Sequence, residues 1–120
     1  MARQLPEECL DPDSAIFDCH VIRFSGAGVI ICVHGDIDCL TAPILGACLD
    51  QQLGLTAQVT CVEVALPHVS FFSARGITTL LAAARTARLR GVDFRITGCS
   101  ARLLRLFDLT GVREELIEIG

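Results

Sequence analysis

The sequence predicts an α/β domain with a mostly parallel sheet and one antiparallel strand at its N-terminal edge. Three observations predict it. Short β-branched, nearly uncharged runs recur at residues 29–33 and 59–66, and a further short strand is expected at 92–97, each the length of a strand. Stretches with apolar residues at helical spacing separate these runs. A Ser25-Gly26-Ala27-Gly28 turn joins the first run to a segment before it, which makes that pair a hairpin. Strands that alternate with helices pair in parallel through right-handed crossovers.

The elements follow in order. Residues 1–15 form a polar lead-in rich in acid and proline, and residues 16–120 form a single domain. Val21, Ile22 and Phe24 mark the first strand, at about 16–24, and residues 29–33 the second. Thr41 is the expected N-cap of a helix that tolerates Pro43 in its first turn, carries Ile44, Leu45, Cys48, Leu49 and Leu53 at helical spacing, and stops near Gly54. Residues 59–66 form the third strand, closed by Pro67, which has no N–H for a ladder. Ser73 is the expected cap of the second helix. Ile77, Leu80, Leu81, Ala84 and Leu89 mark its inner face, and Arg85, Arg88 and Arg90 its wet face. Gly91 stops it. A strand at 92–97, a helix from Ser100 through Leu103, Leu104 and Phe107 to Gly111, and a short strand at 116–119 complete the order.

Composition excludes several function classes. The 120-residue chain is 52% hydrophobic, which argues against disorder. Its unbroken apolar runs are far shorter than the about 20 residues of a spanning helix, so no membrane insertion is expected. The first residues, MARQLPEECLDPD, do not resemble a secretory signal, and a cytoplasmic protein is expected. A net charge of −4, with ten arginines and no lysine, gives no basic footprint for nucleic acid. The seven cysteines lack C-x-x-C spacing, which speaks against structural zinc, and are expected to be mostly reduced. Cys32, Cys48 and Cys61 read as small core residues. Cys39 and Cys99 are the redox candidates, because both precede helix starts, where thiol pKa values fall.

Four constellations hold residues of types that carry chemistry. His34, Asp36 and Asp38, spaced by two, project to one face if extended, but no second carboxylate group completes a metal shell, and a polar strand end is the simpler reading. His68 and Ser73 lack a nucleophile elbow. Gly26-Ala27-Gly28 lacks the third glycine of a dinucleotide loop. No metal, no cofactor and no catalytic set is expected. The junction Phe71-Phe72-Ser73-Ala74-Arg75-Gly76-Ile77 stands apart. Glycine is unfavourable inside a helix, so Gly76 suggests close approach by a partner.

From about Val21 to Ile119 the chain resembles the STAS domain family of bacterial anti-sigma factor antagonists. Three stretches carry the resemblance: Val33-His34-Gly35-Asp36-Ile37-Asp38 before Thr41-Ala42-Pro43, then Val69 to Leu81, then Gly98-Cys99-Ser100 to Leu109-Thr110-Gly111-Val112. The resemblance implies a β-α superhelix with helices packed on one side of the sheet. It also implies a regulatory function, binding an anti-sigma factor of the GHKL kinase-like type and so releasing a sigma factor.

The family pattern D-S-S-G carries its phosphoacceptor at the first serine. This chain has Ser73, Ala74 and Arg75 before Gly76. The acceptor position is therefore Ala74, which has no hydroxyl, and Ser73 is the substitute. The partner-binding set implied is Asp36, Asp38, Ser73, Ala74, Arg75 and Gly76. The expected function is antagonist binding without the usual phospho-switch. The alternatives are a redox-regulated antagonist using its cysteines, and a STAS subunit of a lipid transporter or larger signalling assembly. A homodimer is the oligomeric alternative to a monomer.

Overall fold

In a computed structural model, which describes residues 17–23, 26–54 and 58–112, the expected alternation is realised. The elements are β1 (Asp18–Arg23), β2 (Gly28–His34), α1 (Ala42–Gln52), β3 (Cys61–His68), α2 (Ala74–Arg90), β4 (Asp93–Thr97) and α3 (Ala101–Thr110). The four strands lie in the order β1-β2-β3-β4. β1 runs antiparallel to β2, while β2–β3 and β3–β4 are parallel. Each crossover steps to the next strand in the same direction, so same-handed connections leave the helices on one face.

That face holds the core. Val29, Ile31 and Val33 of β2 and Val62, Val64 and Leu66 of β3 share one buried cluster with Leu45 and Leu49 of α1, Leu80, Ala84 and Ala87 of α2, and Leu103 and Phe107 of α3. The residues between them point the other way. Ile30, Cys32 and Ala65 form a smaller buried cluster, with Ile22 packed against it. β2 is thus buried on both faces, which is why it reads as an unbroken apolar run rather than an alternating one.

Helix ends follow local chemistry. The Ser73 and Ser100 hydroxyls accept from the N–H groups of Gly76 and Leu103, both at 3.2 Å. Gly91 and Gly111 close α2 and α3 in the left-handed region, at φ +69° and +74°. Three expectations are corrected. Leu89, expected on the inner face of α2, is 89% exposed near the helix end. Pro67 does not close β3, which continues to His68; the pairing instead skips there, from Cys32↔Ala65 to His34↔His68, because proline has no N–H for the ladder. Thr41 stands at the N-cap of α1, but its backbone is already helical (φ −94°, ψ −23°) and its side chain makes no cap bond. The strand expected at 116–119 and the lead-in at 1–15 lie outside the described residues. No helix among the described residues is long and apolar enough to cross a membrane.

Candidate functional site

The site is built where two loops leave adjacent parallel strands. The loop after β2 carries Asp36, Ile37 and Asp38; the loop after β3 carries Ser70, Phe71, Phe72 and Ser73. Ile37 and Phe72 form an isolated parallel bridge. The Ile37 N–H donates to the Phe71 carbonyl at 3.0 Å, and the Ser73 N–H donates to the Ile37 carbonyl at 2.8 Å. The Ser70 hydroxyl adds a bond to Asp36 Oδ1 at 3.2 Å. Residues more than thirty apart in sequence are thereby fastened into one surface.

Asp38 organises the first loop. Its Oδ1 accepts the N–H groups of Leu40 and Thr41, both at 2.9 Å, and the Thr41 hydroxyl at 3.2 Å. The Asp38 N–H donates to Thr41 Oγ1 at 2.9 Å, and the Thr41 hydroxyl also reaches the Asp36 carbonyl at 2.9 Å. The capping work expected of Thr41 therefore passes to Asp38, three residues earlier. The Thr41 and Leu40 amides hold the Asp38 carboxyl below its ordinary value of 3.8. A depressed pKa contributes stability that is complete above the unfolded value and is lost as pH falls through the folded one. Unfolding midpoints in urea should therefore separate wild type from Asp38→Asn most at neutral pH. The gap should close as the medium falls through 3.8 and below. A pH-independent gap would show that the charge on Asp38 contributes nothing.

The second loop presents Ala74 and Arg75 to solvent, with Ser73 half-buried. Gly76 is buried. A Cβ there would lie 2.7 Å from Ile37 Cγ2 and 2.8 Å from Phe72 Cδ1. This corrects the reading of Gly76: the close approach comes from the chain's own bridged loops. The missing side chain lets α2 start directly against the Ile37–Phe72 bridge.

The structure brings Asp36, Asp38 and the Ser73–Gly76 turn to one end of the sheet. It does not bring His34 to the two aspartates as a trio. His34 is buried on the sheet at 2% exposure, Asp36 bonds Ser70, and Asp38 is occupied by its own turn. Sequence reasoning missed an apolar component. Leu40, Ile44 and Phe71 are 79%, 54% and 51% exposed. Leu40 lies in the turn before α1 and Ile44 in its first turn, and Phe71 lies in the bridged loop. The visible signal was two adjacent phenylalanines, of which only Phe72 is buried.

The cysteines divide differently from expectation. Cys39 is an exposed thiol and Cys99 a partly buried one. Cys32, read as a reduced core residue, is buried but disulfide-bonded. The fold also brings together Cys19 of β1 and Cys48 of α1, both free and both packed against the core. Their hydrogen bond, then burial, raises the Cys19 pKa, while the same bond lowers that of Cys48.

Comparison with known proteins agrees with this architecture. The model of the STAS domain matches residues 21–119. An anti-sigma-B factor antagonist of Listeria monocytogenes is 32% identical over 89 residues, which is 74% of this chain and 75% of that protein. One of Bacillus subtilis is 27% identical over 88 residues, 73% of this chain and 77% of that protein. The anti-sigma factor antagonist SpoIIAA in its unphosphorylated form superposes with a TM-score of 0.72 at 14% identity, covering 86% of this chain and 89% of its own. With the family frame reaching from within β1 through both bridged loops and strands β2 to β4, the chain belongs to the STAS domain family.

Proposed function

We infer that this protein is an anti-sigma factor antagonist. It works in the cytoplasm as a binding module rather than an enzyme, without a cofactor and without nucleic acid. Its partner is an anti-sigma factor of the kinase-like type. The observation that carries this reading is the Ile37–Phe72 bridge, which fastens two loops that leave Leu40, Phe71, Ala74 and Arg75 exposed. Exposed apolar side chains beside charged ones on a preformed surface are what a specific protein interface uses. The names of the relatives supply the class of partner.

Regulation differs from the family's phosphoserine mechanism in this reading. Ala74 has no hydroxyl, and the neighbouring Ser73 hydroxyl is engaged by the Gly76 N–H. Arg75 places a positive charge where a phosphate would bring about −1.5 to −2. Gly76 contributes by setting the approach of α2 rather than by touching the partner.

Purified chain mixed with the anti-sigma factors of its own genome should form a complex with one of them whether or not ATP is present. Phe71→Ala combined with Ile44→Ala should weaken that complex by about tenfold or more, equivalent to about 1.4 kcal/mol, with the circular dichroism spectrum unchanged. Replacing Ser73, Ala74 and Arg75 by Asp, Ser and Ser should make binding sensitive to ATP. Absence of binding to every anti-sigma factor tested would remove the reading.

A further inference from the structure

We propose that Asp18, His20 and His34 form a binding site for one borderline divalent transition-metal ion, with zinc as the representative. The site lies on the sheet face away from the helices, apart from the partner surface described above. It runs against the expectation, from cysteine spacing, of no metal.

The strand register makes the site. Asp18 and His34 are direct antiparallel partners across β1 and β2. His20 lies two residues beyond Asp18 and so projects to the same face. His34 is in turn the parallel partner of His68 on β3. The chain has three histidines, and this register gathers all of them at one corner of the sheet. The His20 and His34 rings lie 6.1 Å apart at 8°, and the His34 and His68 rings 5.4 Å apart at 14°.

The ligand geometry is close to that of a bound ion. One donor atom from each of Asp18, His20 and His34 lies within 4.8 Å of the other two. Asp18 Oδ2 and His20 Nδ1 are 3.0 Å apart. Metal–ligand bonds of about 2.0–2.2 Å place tetrahedral ligands roughly 3.3 Å from one another. The remaining gap therefore closes by turning side chains, with no backbone movement. The side chains that must turn have room to do so, since those of His20 and Asp18 are 36% and 57% exposed. Turning His20 also takes its ring out of the near-parallel arrangement, so that its lone pair converges with that of His34.

His34, at 2% exposure, is the fixed anchor. His68 packs beside it, and its Nε2 is buried with no hydrogen-bond partner among the described residues. The ring of His68 stacks on that of His34 and so limits how its ring plane can turn. Two imidazoles and one carboxylate favour zinc, nickel or copper over calcium or magnesium, which prefer oxygen. Three protein ligands leave a fourth position for water or an incoming donor.

The test uses the full chain without an affinity tag and with its accessible thiols blocked, dialysed against zinc chloride. One zinc per chain is expected. Asp18→Asn and His20→Gln, both at accessible positions, should each weaken binding by about tenfold or more while leaving the circular dichroism spectrum unchanged. Cobalt chloride in place of zinc should broaden the ring resonances of His20 and His34 in the NMR spectrum and leave those of the α1 side chains sharp. No binding to the thiol-blocked chain would overturn the proposal. Equal affinity in wild type and both variants would overturn it as well.

Discussion

Truncation of Phe107 to alanine is expected to destabilise the protein by about 3–5 kcal/mol, the range for removing a buried aromatic ring. Phe107 is fully buried, and its ring meets that of Phe72 edge-on, with centroids 5.8 Å apart at 63°. Such pairs add to simple burial because the positive ring edge faces the negative ring face. α3 buries two residues, Leu103 and Phe107, so losing one removes much of its attachment. Total stability for a domain of this kind is about 5–15 kcal/mol, which makes this a large fraction. Urea unfolding should show a lower midpoint at an unchanged slope. A loss below about 1 kcal/mol would mean that α3 is held by something else.

Gly76→Ala is the second large effect, expected at up to about 2 kcal/mol of destabilisation. Two contributions oppose each other. Alanine favours a helix over glycine by about 1 kcal/mol. Forcing a methyl group into a packed region costs about 1–3 kcal/mol. The second wins because the new Cβ would stand 2.7 Å and 2.8 Å from atoms of Ile37 and Phe72. Both neighbours are buried, at 0% and 2% exposure, so neither yields into solvent. The same substitution in an Ile37→Ala background should cost less, because the cycle removes the nearer contact. Equal cost in both backgrounds would place the strain elsewhere.

These two residues also show what was legible in the sequence. Phe107 belongs to a helical period bounded by Ser100 and Gly111, and capping signals of that kind act within a few residues of where they are read. Ser73, Gly91 and the first hairpin were legible for the same reason. The role of Gly76 was not, because the atoms it avoids belong to Ile37, far away along the chain. Asp38 replaced Thr41 as the organiser of the α1 entry through hydrogen bonds that no apolar periodicity reports. The partners of Cys19 and His34 depend on strand register, which a one-residue slip would exchange face for face. The candidate site was legible as two separate motifs. That they form one surface, and that Phe71 remains outside while Phe72 is buried, appears only once the Ile37–Phe72 bridge is drawn.

That bridge has a consequence for how recognition is distributed. Two loops tied by main-chain hydrogen bonds do not sample independent conformations, so a visitor meets an epitope already in its bound shape. The entropy of ordering the loops is spent when the domain folds and is absent from the encounter. Association should then be governed by diffusion and orientation, with differences among visitors expressed in how slowly they leave. A lesion on either loop reaches the other through the shared rung, so substitutions at Asp36 and at Ser70 would behave as changes to a single element rather than to two.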